Sequence, residues 1–275
     1  MLVSHKLGVA FGLGWLLLQS AVATTVPVSN KGLSSAEIIE RAVKRTEQCQ
    51  SRAESTGYSY RKVSITEELD PAGRVRERKE RVYEVSIQAG ATSVRLLSVN
   101  GHTPAATDLK KQGENDTNVR QLLGTSEGNK SLQGQGDGFL TEELASRYSF
   151  TLLNEEPVNG RSSYKIAFRP KTPEPAVHHL IDRFLDHLSG TLWVDKEEFE
   201  IARADVQLGS EVDLLGGVVG CLRKLAYTVT RTRVGDGLWL NSSSNGDFEG
   251  RKLLERMRIK MRSQTTNIRT LAANN

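Results

Sequence analysis

The sequence predicts a mainly β (α+β) protein: a single large curved antiparallel sheet with covering helices. Two observations carry that expectation. Apolar and polar residues alternate with a period of two through three segments near the N-terminus, two in the middle and about five towards the end. Short turn signals such as Pro71-Ala72-Gly73, Asn159-Gly160 and Gly235-Asp236-Gly237 separate many of them, and tight turns join strands antiparallel. The few helical segments do not alternate with the strands as a βαβ architecture requires.

Composition sets the bounds. The chain has 275 residues, 37% apolar and 25% charged, with a net charge of +4. That is a globular balance, and a dispersed basic excess of this size does not indicate nucleic acid. His5 and Lys6 precede an apolar run from Leu7 to Leu18, and Ala21-Val22-Ala23 has the small-x-small form of a signal-peptidase site. The run is shorter than the ~20 residues of a membrane span. Residues 1–23 therefore read as a signal peptide, and residues 24–275 as one exported domain, periplasmic or secreted. Cys49 and Cys221 are allowed to pair in an oxidising compartment, but two separate buried thiols are the expectation.

The elements follow in order. Ser34 and Glu37 are spaced as a capping box before Ile38, Ile39, Ala42 and Val43, which fall on one helical face. Tyr58–Asp70 and Arg74–Ile87 alternate as a hairpin, and Thr92–Gly101 forms a third strand. Residues 104–125 read as a polar helix. Residues 112–138, rich in Gly, Asn, Gln and Ser, read as a mobile loop with little apolar content to order it. The Gly134-x-Gly136-x-Gly138 spacing within it lacks the strand and helix of a phosphate loop. Arg147–Pro170 reads as a hairpin, followed by a helix from the Pro173/Pro175 region to Gly190. The closing strands are separated by Asp195-Lys196, residues 209–220, Gly235-Asp236-Gly237 and Glu249-Gly250.

The stretch His178–Leu208 holds three of the five histidines. On a helical wheel Val177, Leu180, Ile181, Phe184 and Leu188 share one side, and His179, Asp182 and Asp186 point to the other. Those acids and imidazoles read as a solvated helix face rather than a metal site. A zinc centre needs converging ligands in a sheltered pocket, and no His-Glu-x-x-His or cysteine cluster is present. No Gly-x-Ser-x-Gly elbow occurs. The expectation is a protein that is not an enzyme, with no catalytic residue, cofactor or metal.

Gly190-Thr191-Leu192-Trp193-Val194-Asp195, followed by Ile201, Arg203, Asp205, Val206 and Leu208, resembles a hairpin of the periplasmic lipoprotein-carrier (LolA/LolB-like) superfamily. Val94–Gln112, Asp213–Gly220 and Val234–Met261 are similar to further strands and turns of its uncharacterised exported bacterial branch, with Asn241 where proline is usual there. The resemblance implies an unclosed half-barrel whose apolar cavity, lidded by helices, carries acyl chains of lipoproteins or lipids.

Large residues in mid-strand are the candidate ligand-binding set: Trp193, Trp239, Tyr227, Leu225 and Val229. In the last strand Met257, Ile259 and Met261 alternate with Arg256, Arg258, Lys260 and Arg262. That basic row is a candidate contact for a membrane surface or an acidic protein partner, against the plainer reading of a charge-guarded strand. The alternatives to a lipid or lipoprotein carrier or sensor are an envelope structural or protein-binding module with a filled cavity, and a metal-dependent hydrolase centred on His178, Asp182 and Asp186.

Overall fold

The computed structural model describes residues 32–52, 57–88, 91–110, 140–172, 184–214, 220–235, 237–252 and 255–271. The signal segment and the loop expected at 112–138 lie outside the described residues. Helix α1 is Ser35–Arg52 and helix α2 is Glu142–Ser146. The strands are β1 (Gly57–Leu69), β2 (Val75–Gln88), β3 (Ala91–Val99), β4 (Tyr148–Val158), β5 (Arg161–Pro170) and β6 (Leu188–Asp195). They continue as β7 (Ile201–Leu208), β8 (Val212–Leu214), β9 (Gly220–Arg233), β10 (Trp239–Lys252) and β11 (Glu255–Leu271).

All the strands form one sheet in the order β3-β2-β1-β11-β10-β9-β7-β6-β5-β4, with β8 paired to β9. Its pairings are antiparallel, and it is not closed, since β3 and β4 remain as edges. The expected fold class is the observed one. Asn100 and Asn159 take positive φ at 50° and are followed by Gly101 and Gly160 at 80° and 79°. Those are the dihedrals that Asn-Gly turns supply at least strain.

Cross-strand partners share a face of a sheet, so the register sorts every side chain. One row runs Arg81–Ser64–Ser263–Ser244–Val229–Ala204–Leu192–Ile166 across β2, β1, β11, β10, β9, β7, β6 and β5. The next runs Lys79–Thr66–Met261–Gly246–Tyr227–Val206–Gly190–Phe168 and reaches Phe150 on β4. A third carries Ile259, Phe248 and Leu225. Helix α1 lies on this face: Ile38, Ile39, Ala42 and Val43 are buried with Ile166, Leu192, Val194 and Val229 in the main core. The opposite face holds Arg78, Glu67, Lys260, Asp247, Arg262, Asp205 and Arg203, mostly in surface ion pairs such as Arg262–Glu67 at 3.2 Å and Arg203–Asp205 at 2.7 Å.

At its N-terminus α1 closes the expected capping box: the Ser34 amide donates to Glu37 Oε2 at 2.8 Å and the Glu37 amide to Ser34 Oγ at 3.3 Å. Further along, a buried ionic network fixes the helix to the sheet. Arg45 donates to the Gly237 carbonyl at 2.5 Å and lies 3.3 Å from Glu200. Glu200 in turn accepts from Arg231 at 2.8 Å, and Arg231 also donates to the Ile201 and Trp239 carbonyls at 3.3 and 3.0 Å. Glu200 and Arg231 are 4% and 6% exposed, so neither charge has water to fall back on.

Two boundaries differ from expectation. Glu249-Gly250 does not end a strand; β10 runs on to Lys252. Gly250 sits in the strand because a Cβ there would come within 2.5 Å of the Cys221 carbonyl oxygen, and a register shift at Glu249/Gly250 accommodates it. The helix expected up to Gly190 has given way to β6 by Leu188. Asp186 therefore lies in a turn, is buried rather than solvated, and pairs with Arg147 at 3.2 Å. His178, His179 and Asp182 lie outside the described residues.

Removing one partner from a buried pair leaves the other uncompensated, at a cost of ~3–5 kcal/mol. Arg231→Leu, which leaves Glu200 with Arg45 alone at 3.3 Å and takes the donor from the Ile201 and Trp239 carbonyls, is expected to lose stability towards the lower end of that range in urea unfolding at pH 7; Lys44→Ala, which breaks the exposed pair with Glu40, should leave the midpoint essentially unchanged.

Candidate functional site: the apolar face under helix α1

The α1 face changes character across the sheet. Beneath α2, beside the core that α1 covers, an apolar pocket of about 110 Å³ is lined by residues including Leu140, Leu144, Phe168, Leu188, Leu192 and Val206. A wider groove of about 660 Å³ opens between α1 and the α2–β4 segment, with Ile39, Val43 and Ala145 in its walls and Lys44, Glu47 and Lys171 also lining it. Tyr148 and Phe150 line both spaces. Away from α1 the same rows continue as an open strip. Leu225, Tyr227, Phe248 and Ile259 are half-buried, and Met257 and Met261 are 38% and 41% exposed.

Two glycines shape this face. A Cβ on Gly190 would overlap the Asp205 carbonyl oxygen and meet the Phe168 ring at 3.0 Å, so Phe168 packs directly over the β6 backbone. A Cβ on Gly246 would collide with the Phe248 ring and approach Tyr227 at 3.3 Å. The Phe248 ring thus lies over Gly246 beside Tyr227 and floors the strip. At the pocket wall, the Tyr148 hydroxyl donates to the Leu185 carbonyl at 2.7 Å. Burial, followed by the charge of Asp186, raises that phenol well above its ordinary pKa, so it stays protonated and donating.

The five candidate residues divide between the two faces. Val229 is fully buried in the core under α1, and Tyr227 packs against that core. Leu225 lies on the same face one row further, beside Phe248. Trp193 points the other way: it is paired with Lys165 and Arg203, whose cations sit 5.2 and 4.7 Å from its ring. It is buried with Ala202, Val158 and Trp239 in a second, smaller cluster. There the Trp239 indole donates to Glu198 at 2.8 Å and Arg161 stands 5.7 Å from its ring. Alternation puts Leu192, not its larger neighbour Trp193, on the pocket side.

The hairpin that carries the family resemblance owes its shape to Asp195. Its fully buried carboxylate accepts from Arg161 at 2.7 and 3.0 Å and from the amides of Glu197 and Glu198 at 3.1 and 2.8 Å. That bonding drives the turn and holds Phe199 at a φ of 56°. Asp195 is therefore structural.

The basic row of β11 faces away from the pocket and is partly neutralised: Arg258 pairs with Glu249 at 3.0 Å and Arg262 with Glu67 at 3.2 Å, while Lys260 lies in register between Glu67 and Asp247. Cys221 is buried and unpaired; the Cys49 side chain lies outside the described residues. Among the described residues one trio, Glu211, Asp213 and Cys221, has ligand atoms within 4.8 Å of one another. Both acids are exposed, and Arg223 lies 3.3 Å from Glu211.

No family profile and no curated protein sequence matches the chain. Solved structures do. The chain is similar to a LolA superfamily protein. That protein, from Nitrosomonas europaea, is 11% identical over 88% of this chain and 96% of its own, with a TM-score of 0.34. A DUF1329 family protein from Desulfovibrio piger is 15% identical over 86% and 93%, with a TM-score of 0.30. MucB in the MucA/MucB complex of Pseudomonas aeruginosa is 11% identical over 84% and 99%, at 0.24. Likeness at this level carries no information about ligands.

Two outcomes are expected. Gly190→Ala should cost ~1–3 kcal/mol in chemical denaturation, because Phe168 and the β7 backbone have to move, and an unchanged midpoint would contradict the close approach. Burial alone would raise the Glu198 carboxyl, but hydrogen bonds from Trp239 and Arg233 outweigh it and hold it below its ordinary value. A depressed carboxyl stabilises above its unfolded pKa, ~4.3, and that contribution is lost as pH falls through the folded value. The Tm deficit of Glu198→Gln should therefore be present at pH 7 and close as the pH drops below that range.

Proposed function

We propose that the protein is an exported, non-catalytic carrier or sensor that binds an acyl chain of a lipid or lipoprotein along the α1 face. The observation that carries this reading is the unbroken apolar row Met261–Gly246–Tyr227–Val206–Gly190–Phe168–Phe150. It leads from the open strip to the apolar pocket beneath α2. The pocket has the volume of only ~3–4 water molecules. It seats the end of a chain, and the remainder lies on the strip between Met261, Phe248 and Tyr227. Burial stabilises the complex by ~0.8 kcal/mol per methylene, and the adaptable Met257 and Met261 side chains adjust to the chain's contour. Of the sequence-derived candidates, Leu225, Tyr227 and Val229 belong to this proposal. Trp193 and Trp239 enter it only as the packing beneath the opposite face.

One observation favours a second reading, an envelope module that binds a protein. The apolar pocket, about 110 Å³, is below the ~300 Å³ at which ligand pockets begin. On this reading the strip receives an apolar segment of a partner and the interior stays filled.

Native mass spectrometry of detergent-free, exported protein, with lipid analysis of the solvent extract, separates the two. The carrier reading expects a co-purifying acylated species, or uptake of added lipid, that is lost in Met261→Asp and Tyr227→Asp proteins with wild-type circular dichroism. A bare mass and no uptake would sink it and leave the protein-binding module.

A further inference from the structure

Resting on the acyl-binding reading of the same face, we infer that the site takes a net-anionic lipid, with its headgroup held by Arg81 and Lys62 at the polar end of the α1-face rows. The polar end is built by register. Arg81, Ser64, Ser263 and Ser244 occupy one row across β2, β1, β11 and β10, and the same row continues into Val229, Ala204 and Leu192. Lys62 lies on the neighbouring row between Tyr83 and Thr265. On the other side, Lys79 and Thr66 lead into Met261 and the apolar strip.

The cations of the two faces have different neighbours. On the opposite face Arg203, Arg258 and Arg262 have carboxylate partners, and Lys260 lies in register between Glu67 and Asp247. On the α1 face Arg81 and Lys62 make no hydrogen bond or ion pair with the described residues. Asp108, whose carboxyl the charge of Arg81 also helps hold down, is paired with Lys79 at 3.1 Å. The other acids of this face in β1 and β2, Glu68 and Glu77, lie beyond the Thr66 row, and Glu68 is taken by Arg76 at 2.9 Å. Two cations are thus left beside hydroxyls. Ser263 and Ser244 hydrogen-bond each other at 2.7 Å, and Ser64 is their neighbour in the row. Arginine flanked by hydroxyl groups is the donor set that recognises a phosphate or carboxylate oxygen.

The span also fits an amphiphile. From β2 to β7 there are five inter-strand steps, ~24 Å at ~4.8 Å each. A headgroup at Arg81 leaves its chain crossing Met261, Tyr227 and Val206 towards the pocket.

The test is titration calorimetry with lysophosphatidylglycerol and lysophosphatidylcholine of the same chain length, below their micellar concentrations, and with glycerol 3-phosphate alone. Charge-assisted hydrogen bonds of ordinary strength predict that the wild-type protein prefers the glycerol lipid by roughly tenfold. Arg81→Gln/Lys62→Gln should abolish that preference by weakening the glycerol lipid roughly tenfold more than the choline lipid. Equal affinity in the wild type, or a preference that survives in the double variant, overturns the headgroup assignment alone. Failure of both lipids to bind overturns the acyl-binding reading with it. Glycerol 3-phosphate binding as tightly as the lipid assigns the corner to a free phosphate ester and overturns the lipid.

Discussion

The ionic bridge from Arg45 of α1 through Glu200 to Arg231 of β9 is the contact on which the arrangement depends. A sheet with one apolar face needs a cover, and an amphipathic helix supplies it only if held in one position. Apolar packing of Ile38, Ile39, Ala42 and Val43 is strong but does not fix direction, because methyl groups accept many neighbours. A buried guanidinium with one carboxylate within reach and two carbonyls to fill accepts very few. The network also joins the turn after β6 to the start of β10, since Arg231 donates to the Trp239 carbonyl and Arg45 to that of Gly237.

With α1 placed, the difference between the two faces follows from strand alternation. The outer face is a lattice of exposed or half-exposed ion pairs, each worth little to stability because water already solvates the partners. Their collective effect is to present a mixed-charge surface with few apolar side chains, which keeps a broad open sheet from stacking on another. The inner face grades from charge and hydroxyl groups at β2, β1 and β11 to aliphatic and aromatic packing at β7, β6 and β5. On the proposed reading, that grading serves the two ends of an amphiphilic ligand. Edge strand β4 carries Glu155, Glu156 and Pro157, residue types that discourage further pairing.

The capping box, the Asn-Gly turns and the period-two alternation could be read from the chain itself, because each is local and its energetics involve residues a few positions apart. The large antiparallel sheet followed from their sum; that it is unclosed was only what the family resemblance implied. The α1 face was half legible. Leu225, Tyr227 and Val229 alternate onto it together, whereas Trp193, chosen for its size, lies one residue away from Leu192 on the opposite face. Asp186 escaped a wheel argument because the helix had ended before it, and its partner Arg147 is 39 residues away.

Local chemistry, in the end, determined which segments are strands, where most of them turn and how α1 begins, since those are properties of neighbouring side chains and backbone. Tertiary structure alone decided which face α1 covers, which charges are buried in pairs, and that Arg81 shares a row with Ser263 and Ser244. That row joins Arg81 to Ser263, 182 positions away, through strand order and register, and no local pattern encodes the register of one strand against a distant one.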